Sequence, residues 1–284
     1  MERNINSYKS AFFKTSDGAT LHYIEKGEGR PLVMVPEWSQ TAEIFKYQIE
    51  ELSSMFRCIA IDMRGHGDSE NVEYGLTIKR LAIDLHEFLL DLGLNDICLL
   101  GHSMGCSVIW SLIEMFGEGL ISRFIFIDEP PCLLSDPAWD KQTMETAGAL
   151  FTDKTLLDTC SKLNGPDGEM FTAGMIKSMF NKKLPPAEME WIIQCSLKMP
   201  RNLASRLLRD HVEKDWRNLF SRITVPTLIV GAEGSQVPWK SQRWIHKQIN
   251  NSELILFSES DCVKHFIFYE SPEKFNMGVK SFLG

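Results

Sequence analysis

The chain has 284 residues, 44% of them apolar and 24% charged, proportions of an ordinary globular protein that exclude extensive disorder and fibrous structure. Against roughly 150 residues for an average domain, that length fits one large domain or one domain with an insertion. Lys and Arg number 30 against 38 Asp and Glu; the net charge of −8 argues against a nucleic-acid or anionic-membrane surface and leaves small neutral or apolar ligands.

At the N-terminus, Met1 to Asn6 is polar and lacks the apolar stretch of a secretory signal. No later run reaches the roughly 18 to 20 consecutive apolar residues that span a bilayer, so a soluble, cytoplasmic protein without a membrane partner is expected. Residues 8–15 and 19–26 flank the turn dipeptide Asp17-Gly18 and read as a hairpin at a sheet edge. Residues 31–35 and 56–61 are short apolar strands, the second followed by a Gly-rich turn through Arg64, Gly65, His66 and Gly67. From Leu76 to Leu92 the apolar residues recur at helical spacing. Residues 96–100 form a buried strand running into Gly101-His102-Ser103-Met104-Gly105, with a helix over 108–116 and a strand over 123–127 ending in Asp128-Glu129-Pro130-Pro131.

The strand signal is lost from Ser135 to Trp216, a stretch rich in Met and Trp that reads as an inserted helical cap. It returns at 225–230, followed by a helix over 240–248, a strand over 253–257 and a helix after Pro272. Alternating strands and helices predict an α/β protein with a mostly parallel sheet, residues 1–134 and 217–284 forming the core and 135–216 the cap. The seven cysteines are odd in number and mostly in apolar segments, where Cys packs as a small hydrophobe. No CxxC pair, His/Cys cluster, phosphate loop or complete dinucleotide fingerprint is present, so no metal and no cofactor are expected.

Gly101-x-Ser103-x-Gly105 between a strand and a helix is the setting in which a serine forms a nucleophile elbow. A hydroxyl needs an imidazole to take its proton and a carboxylate to orient that imidazole. Of seven histidines, His265 alone follows the last strand, where a side chain can hang over the C-terminal edge of the sheet.

With the turn Asp62-x-Arg64-Gly65-His66-Gly67-x-Ser69, the strand at Val225-Pro226-Thr227-Leu228 and His265-x4-Glu270-x-Pro272, the elbow makes the chain resemble α/β-hydrolase-fold proteins over almost its whole length. The resemblance implies eight strands, a helical cap after the sixth, and a triad in the order nucleophile, acid, histidine. A serine nucleophile sets the chain apart from that family's epoxide hydrolases and haloalkane dehalogenases. Two departures stand out. Gly234 occupies the position after the seventh strand where many members carry the acid, which leaves Asp128, Glu233 and Glu129 as candidates, with Asp128 at a position some members use. After the third strand, Pro36-Glu37-Trp38 replaces the usual His-Gly; the backbone N–H groups of Trp38 and Met104 are the expected oxyanion donors, and Glu37 is expected to be a solvated charge.

Pro-x-Trp with an acid after the sixth strand is also similar to hydrolases of large apolar lactones and to cofactor-free dioxygenases that open N-heteroaromatic rings. The expectation is a serine hydrolase acting on an ester or lactone of a fairly apolar small molecule, with Ser103, His265 and Asp128 as its triad. Trp38, Pro130, Trp139, Met179 and Trp191 are the candidate pocket residues. A ring-opening dioxygenase and a non-catalytic ligand-binding homologue are the alternatives.

Overall fold

The structure is a computed structural model that describes residues 8–284, so the stretch Met1 to Asn6 lies outside the described residues. Eight strands form one sheet: β1 (Lys9–Lys14), β2 (Thr20–Lys26), β3 (Pro31–Val35), β4 (Arg57–Ile61), β5 (Ile97–His102), β6 (Ile121–Ile127), β7 (Thr227–Ala232) and β8 (Ser252–Phe257). Their order across the sheet is β1-β2-β4-β3-β5-β6-β7-β8. The hairpin β1-β2 forms the antiparallel edge, and every pairing from β4 through β8 is parallel.

The helices are α1 (Lys46–Leu52), α2 (Ile78–Asp91), α3 (Met104–Phe116), α4 (Lys141–Ala147), α5 (Asp153–Asn164), α6 (Gly168–Ser178), α7 (Pro186–Leu197), α8 (Arg201–Val212), α9 (Trp239–Gln248), α10 (Ile267–Glu270) and α11 (Pro272–Leu283). Sequence reasoning finds all eight strands within a few residues, starts α3 four residues late and misses α1. That helix spans only seven residues, too few for a helical period to declare itself.

Side chains alternate across each strand and bury both faces of the sheet. Val33, Ile59 and Leu99 pack with Leu85, Phe88 and Val108 of α2 and α3. Their neighbours Leu32, Cys58 and Cys98 pack on the other face with Ile49, Phe268 and Phe275. All seven cysteines are free and five are buried. The segment between β6 and β7 carries α4 to α8 and, among the described residues, no strand. Local signals delimit these helices. The Asp140 side chain accepts from the Thr143 N–H at the start of α4, and Thr152 forms a capping box with Thr155 at the start of α5.

The Gly-rich turn after β4 is a structural knot. Asp62 accepts from the Ala42 and Asp68 N–H groups and pairs with His22 at 2.7 Å. Arg64, fully buried, donates to Asp84 at 2.5 and 2.7 Å and to Asp17 at 3.0 Å. Gly67 lies so close to Asp62 that a Cβ would sit 2.2 Å from its carboxylate. No helix of the described residues is long and apolar enough to cross a membrane.

Candidate active site

Ser103 sits between the end of β5 and the start of α3 with φ 49° and ψ −124°, a conformation that costs a non-glycine residue free energy and needs its surroundings to hold it. Its N–H donates to the Ile127 carbonyl at 2.9 Å, tying the turn to β6. The flanking glycines are steric necessities. A Cβ on Gly101 would lie 2.7 Å from the Cys106 nitrogen, and one on Gly105 would lie 2.2 Å from the Val35 carbonyl oxygen. The spacing Gly-x-Ser-x-Gly therefore lets β5, β3 and α3 approach while the serine projects between them.

Asp128 follows β6 directly, also at positive φ (50°), and is fully buried. Its Oδ2 accepts from Nδ1 of His265 at 2.8 Å and from the Ser235 hydroxyl at 2.5 Å. Glu233 accepts from the Glu259 N–H in an exposed contact instead. Gly234 is pressed against the loop that carries His265; a Cβ there would lie 2.7 Å from the Val263 carbonyl oxygen, which explains why no acid stands at that position. The His265 N–H donates to the Met179 carbonyl, and its own carbonyl accepts from Nε2 of His102.

The other ring nitrogen of His265 does not meet Ser103. Nε2 lies 3.0 Å from Oε2 of Glu37, and the serine Oγ donates at 3.4 Å to Oε2 of Glu129. Glu129 in turn accepts from Nε2 of His211 at 2.7 Å and from the Ser107 hydroxyl at 2.9 Å. The Trp216 indole closes that second cluster by donating to Ser107 at 3.1 Å. Burial, the largest influence, pushes the Glu37 and Asp128 carboxyls up. Burial alone lowers an imidazole; against it, the Asp128 and Glu37 carboxylates lift His265 to about 10. The direction is upward for all three groups.

Residues 33–277 match the model of the alpha/beta hydrolase family. The chain belongs to that family. Across 276 residues it is 28% identical to the AB hydrolase superfamily protein YisY of Bacillus subtilis, a match covering 95% of this chain and 98% of that protein. Two solved structures share its fold with a TM-score of 0.88. One is a bromoperoxidase from Bacillus anthracis, 22% identical, covering 97% of this chain and 99% of its own. The other is the esterase EaEST from Exiguobacterium antarcticum, 24% identical, covering 96% of this chain and 98% of its own.

In alpha/beta hydrolase terms, a cavity of about 400 Å³ lies over the C-terminal edge of the sheet and reaches Ser103, His265, Glu37, Glu129 and His211. Its walls are mostly apolar, including Leu133, Phe151, Met175, Leu208 and Val237. Of the expected pocket residues, Trp38, Pro130 and Met179 line it. Trp139 and Trp191 do not. The Trp139 ring lies under the Arg217 guanidinium at 4.5 Å, and Trp191 lies beside Lys46 in a separate cavity of about 300 Å³ with Tyr8 and Glu188. Composition singles out both without placing either: Trp139 lies in the loop before α4, and Trp191 lies on α7, whose sequence does not reveal which face meets the sheet. Trp38 is buried with its indole donating to the Ala204 carbonyl, so one residue serves both core and cavity.

Glu37 corrects the reading of a solvated charge: it is 3% exposed and paired with His265. Its signal lies in its position, two residues after the end of the buried parallel strand β3, where the chain of an open α/β sheet turns into the ligand-bearing crevice. His211 was also missed. It lies on α8, 82 residues along the chain from Glu129, and only the packing of that helix brings the two together.

Proposed function

We propose that the protein is a serine hydrolase that cleaves an ester or lactone of a fairly apolar small molecule, with residues 135–216 acting as a cap over the core formed by 1–134 and 217–284. The observation that carries this reading is Ser103 in its strained turn, opening on a mostly apolar cavity beside the buried His265–Asp128 pair. Ser103 Oγ attacks the carbonyl carbon, His265 takes the serine proton and returns it to the leaving oxygen, and Asp128 holds Nδ1–H and balances the imidazolium. The Met104 N–H, at the start of α3 where a helix leaves donors unpaired, and the Trp38 N–H receive the oxyanion. Intact-mass analysis after treatment with a fluorophosphonate tests the first step. The expected result is one adduct on the wild-type chain and none on Ser103→Ala; equal labelling of both removes Ser103 as the nucleophile.

One observation favours a second reading. Nε2 of His265 already holds an oxygen that is not the serine's, the arrangement suited to a His–Asp dyad that deprotonates a bound hydroxyl, as a cofactor-free dioxygenase opening an N-heteroaromatic ring requires. Oxygen uptake with a hydroxylated heteroaromatic, lost in His265→Ala and kept in Ser103→Ala, selects that reading. Ester turnover lost in Ser103→Ala selects the first.

A further inference from the structure

Glu37 stands where the reaction proposed above needs an empty place. A serine hydrolase needs Nε2 of its histidine free to accept the serine proton, and here that nitrogen lies 3.0 Å from a carboxylate oxygen carried by the loop after β3. The Ser103 hydroxyl is turned to Glu129 instead. Glu37 has no competing donor to hold it: Oε1 is buried without a hydrogen-bond partner, and Oε2 meets the imidazole. An unsatisfied buried carboxylate oxygen is costly, so the contact with His265 is what keeps this side chain inside.

We propose that Glu37 is a displaceable stopper on His265, a positioning residue that occupies the proton-accepting nitrogen in the resting enzyme and sets the pH at which Ser103 is activated. The proposal rests on the serine-hydrolase reading. In the resting arrangement one proton lies between Glu37 and Nε2. Nε2 is freed when that proton passes to the Glu37 carboxylate, which then turns off the ring as substrate fills the cavity, or when it leaves to solvent at high pH. Ser103 then gives its proton to Nε2 while Oγ bonds to the carbonyl carbon and the carbonyl π pair moves onto oxygen. On collapse, the bond to the leaving oxygen breaks and Nε2 returns the proton to that oxygen.

Other charged and titratable groups face the pair. Asp128 and Glu129 lie after β6, His102 at the end of β5 and His211 on α8, while Arg201, also on α8, lies 5.9 Å over the neighbouring Trp38 ring. The Arg201 guanidinium is spent on the Ser39 hydroxyl and on the carbonyls of Ser196 and Met199. Asp128 has the Ser235 hydroxyl as a second donor and Glu129 has His211 and Ser107, whereas the side chain of Glu37 meets His265 alone, with the charges of His211 and Glu129 acting on it from farther off. Removing the Glu37 charge therefore acts on His265 first.

The sign follows. A carboxylate beside an imidazole favours the protonated ring, so the Glu37 contact holds His265 in its charged form to higher pH than a free imidazole. Without the carboxylate, His265 becomes a free base at lower pH and the rising limb of activity moves toward acid.

Two readouts on the full chain test the stopper. The first is NMR titration of the His265 ring in wild type and Glu37→Gln, which keeps the shape and removes the charge. A fall of at least about one pH unit in the midpoint is expected, and an unchanged midpoint overturns the proposal. The second is the rate of fluorophosphonate labelling from pH 6 to 10 in wild type, Glu37→Gln and Glu37→Ala. Labelling at pH 7 is expected to rise about tenfold or more in the variants, most in Glu37→Ala, with the limb shifted to lower pH. Variants slower than wild type at every pH overturn the stopper and make Glu37 a productive group. If no form labels at any pH while the titration midpoint still falls in Glu37→Gln, the contact stands and the serine-hydrolase reading fails instead.

Discussion

Two buried histidine–carboxylate pairs flank Ser103, and their acids are consecutive in the chain. Asp128 holds Nδ1 of His265 at 2.8 Å, and Glu129 holds Nε2 of His211 at 2.7 Å. The first pair joins the end of β6 to the loop after β8; the second joins the end of β6 to α8 of the helical insertion. Asp128 is fixed by a positive φ and by the Ser235 hydroxyl, which leaves His265 one defined orientation. Glu129 spreads over His211, Ser107 and the serine itself. The same chemistry thus serves two ends: a rigid pair suited to moving a proton, and a branching pair suited to joining the insertion to the core.

The largest expected effect belongs to the serine that lies between the two pairs. Ser103→Ala is expected to lower ester or lactone turnover by on the order of 10⁴-fold or more, measured as kcat/KM on the best substrate of a panel. Asp128→Asn tests the rigid pair. It is expected to lower kcat by roughly 10³- to 10⁴-fold with little change in KM, because the amide no longer fixes the imidazole tautomer. Glu129→Gln, one residue along, is expected to cost only about 10- to 100-fold, and equal losses in the two variants would erase the distinction between the pairs. His211→Ala strips Glu129 of its buried imidazole partner, leaving the hydroxyls of Ser107 and Ser103, and is expected to destabilise the fold by about 3 kcal/mol in urea denaturation. The smallest effect is expected at Trp191, in its separate cavity: Trp191→Phe is expected to leave kcat/KM within about twofold, since it touches neither pair.

The sheet was legible because both faces of its strands are buried, so short apolar runs bounded by turns mark each one. Ser103 was legible because Gly101 and Gly105 are demanded by contacts with Cys106 and Val35 that any sequence in this turn must respect. Asp128 and His265 were read from chain order and strand ends, and the structure brings them within 2.8 Å. Glu37 and His211 were not legible in the same way. Whether a carboxylate after a strand points to water or to a ring depends on a side-chain torsion, and whether a helical histidine meets the sheet depends on how that helix docks. Neither leaves a periodic trace. The Trp-rich insertion failed for the same reason, with Trp139 and Trp191 turned away from the cavity.

Glu270 lies one turn past His265, and its carboxylate gathers three backbone N–H groups from two separate stretches of chain. Asn181 and Lys182, in the insertion, donate to Oε1, and Lys264, beside His265, donates to Oε2. The His265 N–H itself is fastened to the Met179 carbonyl. The insertion and the proton-carrying loop are thereby buckled together like two straps through one clasp. If the insertion swings aside to admit a ligand, either the clasp opens and strands three amide donors or the imidazole travels with the moving part. Any displacement of the insertion is thereby coupled to the loop that carries His265.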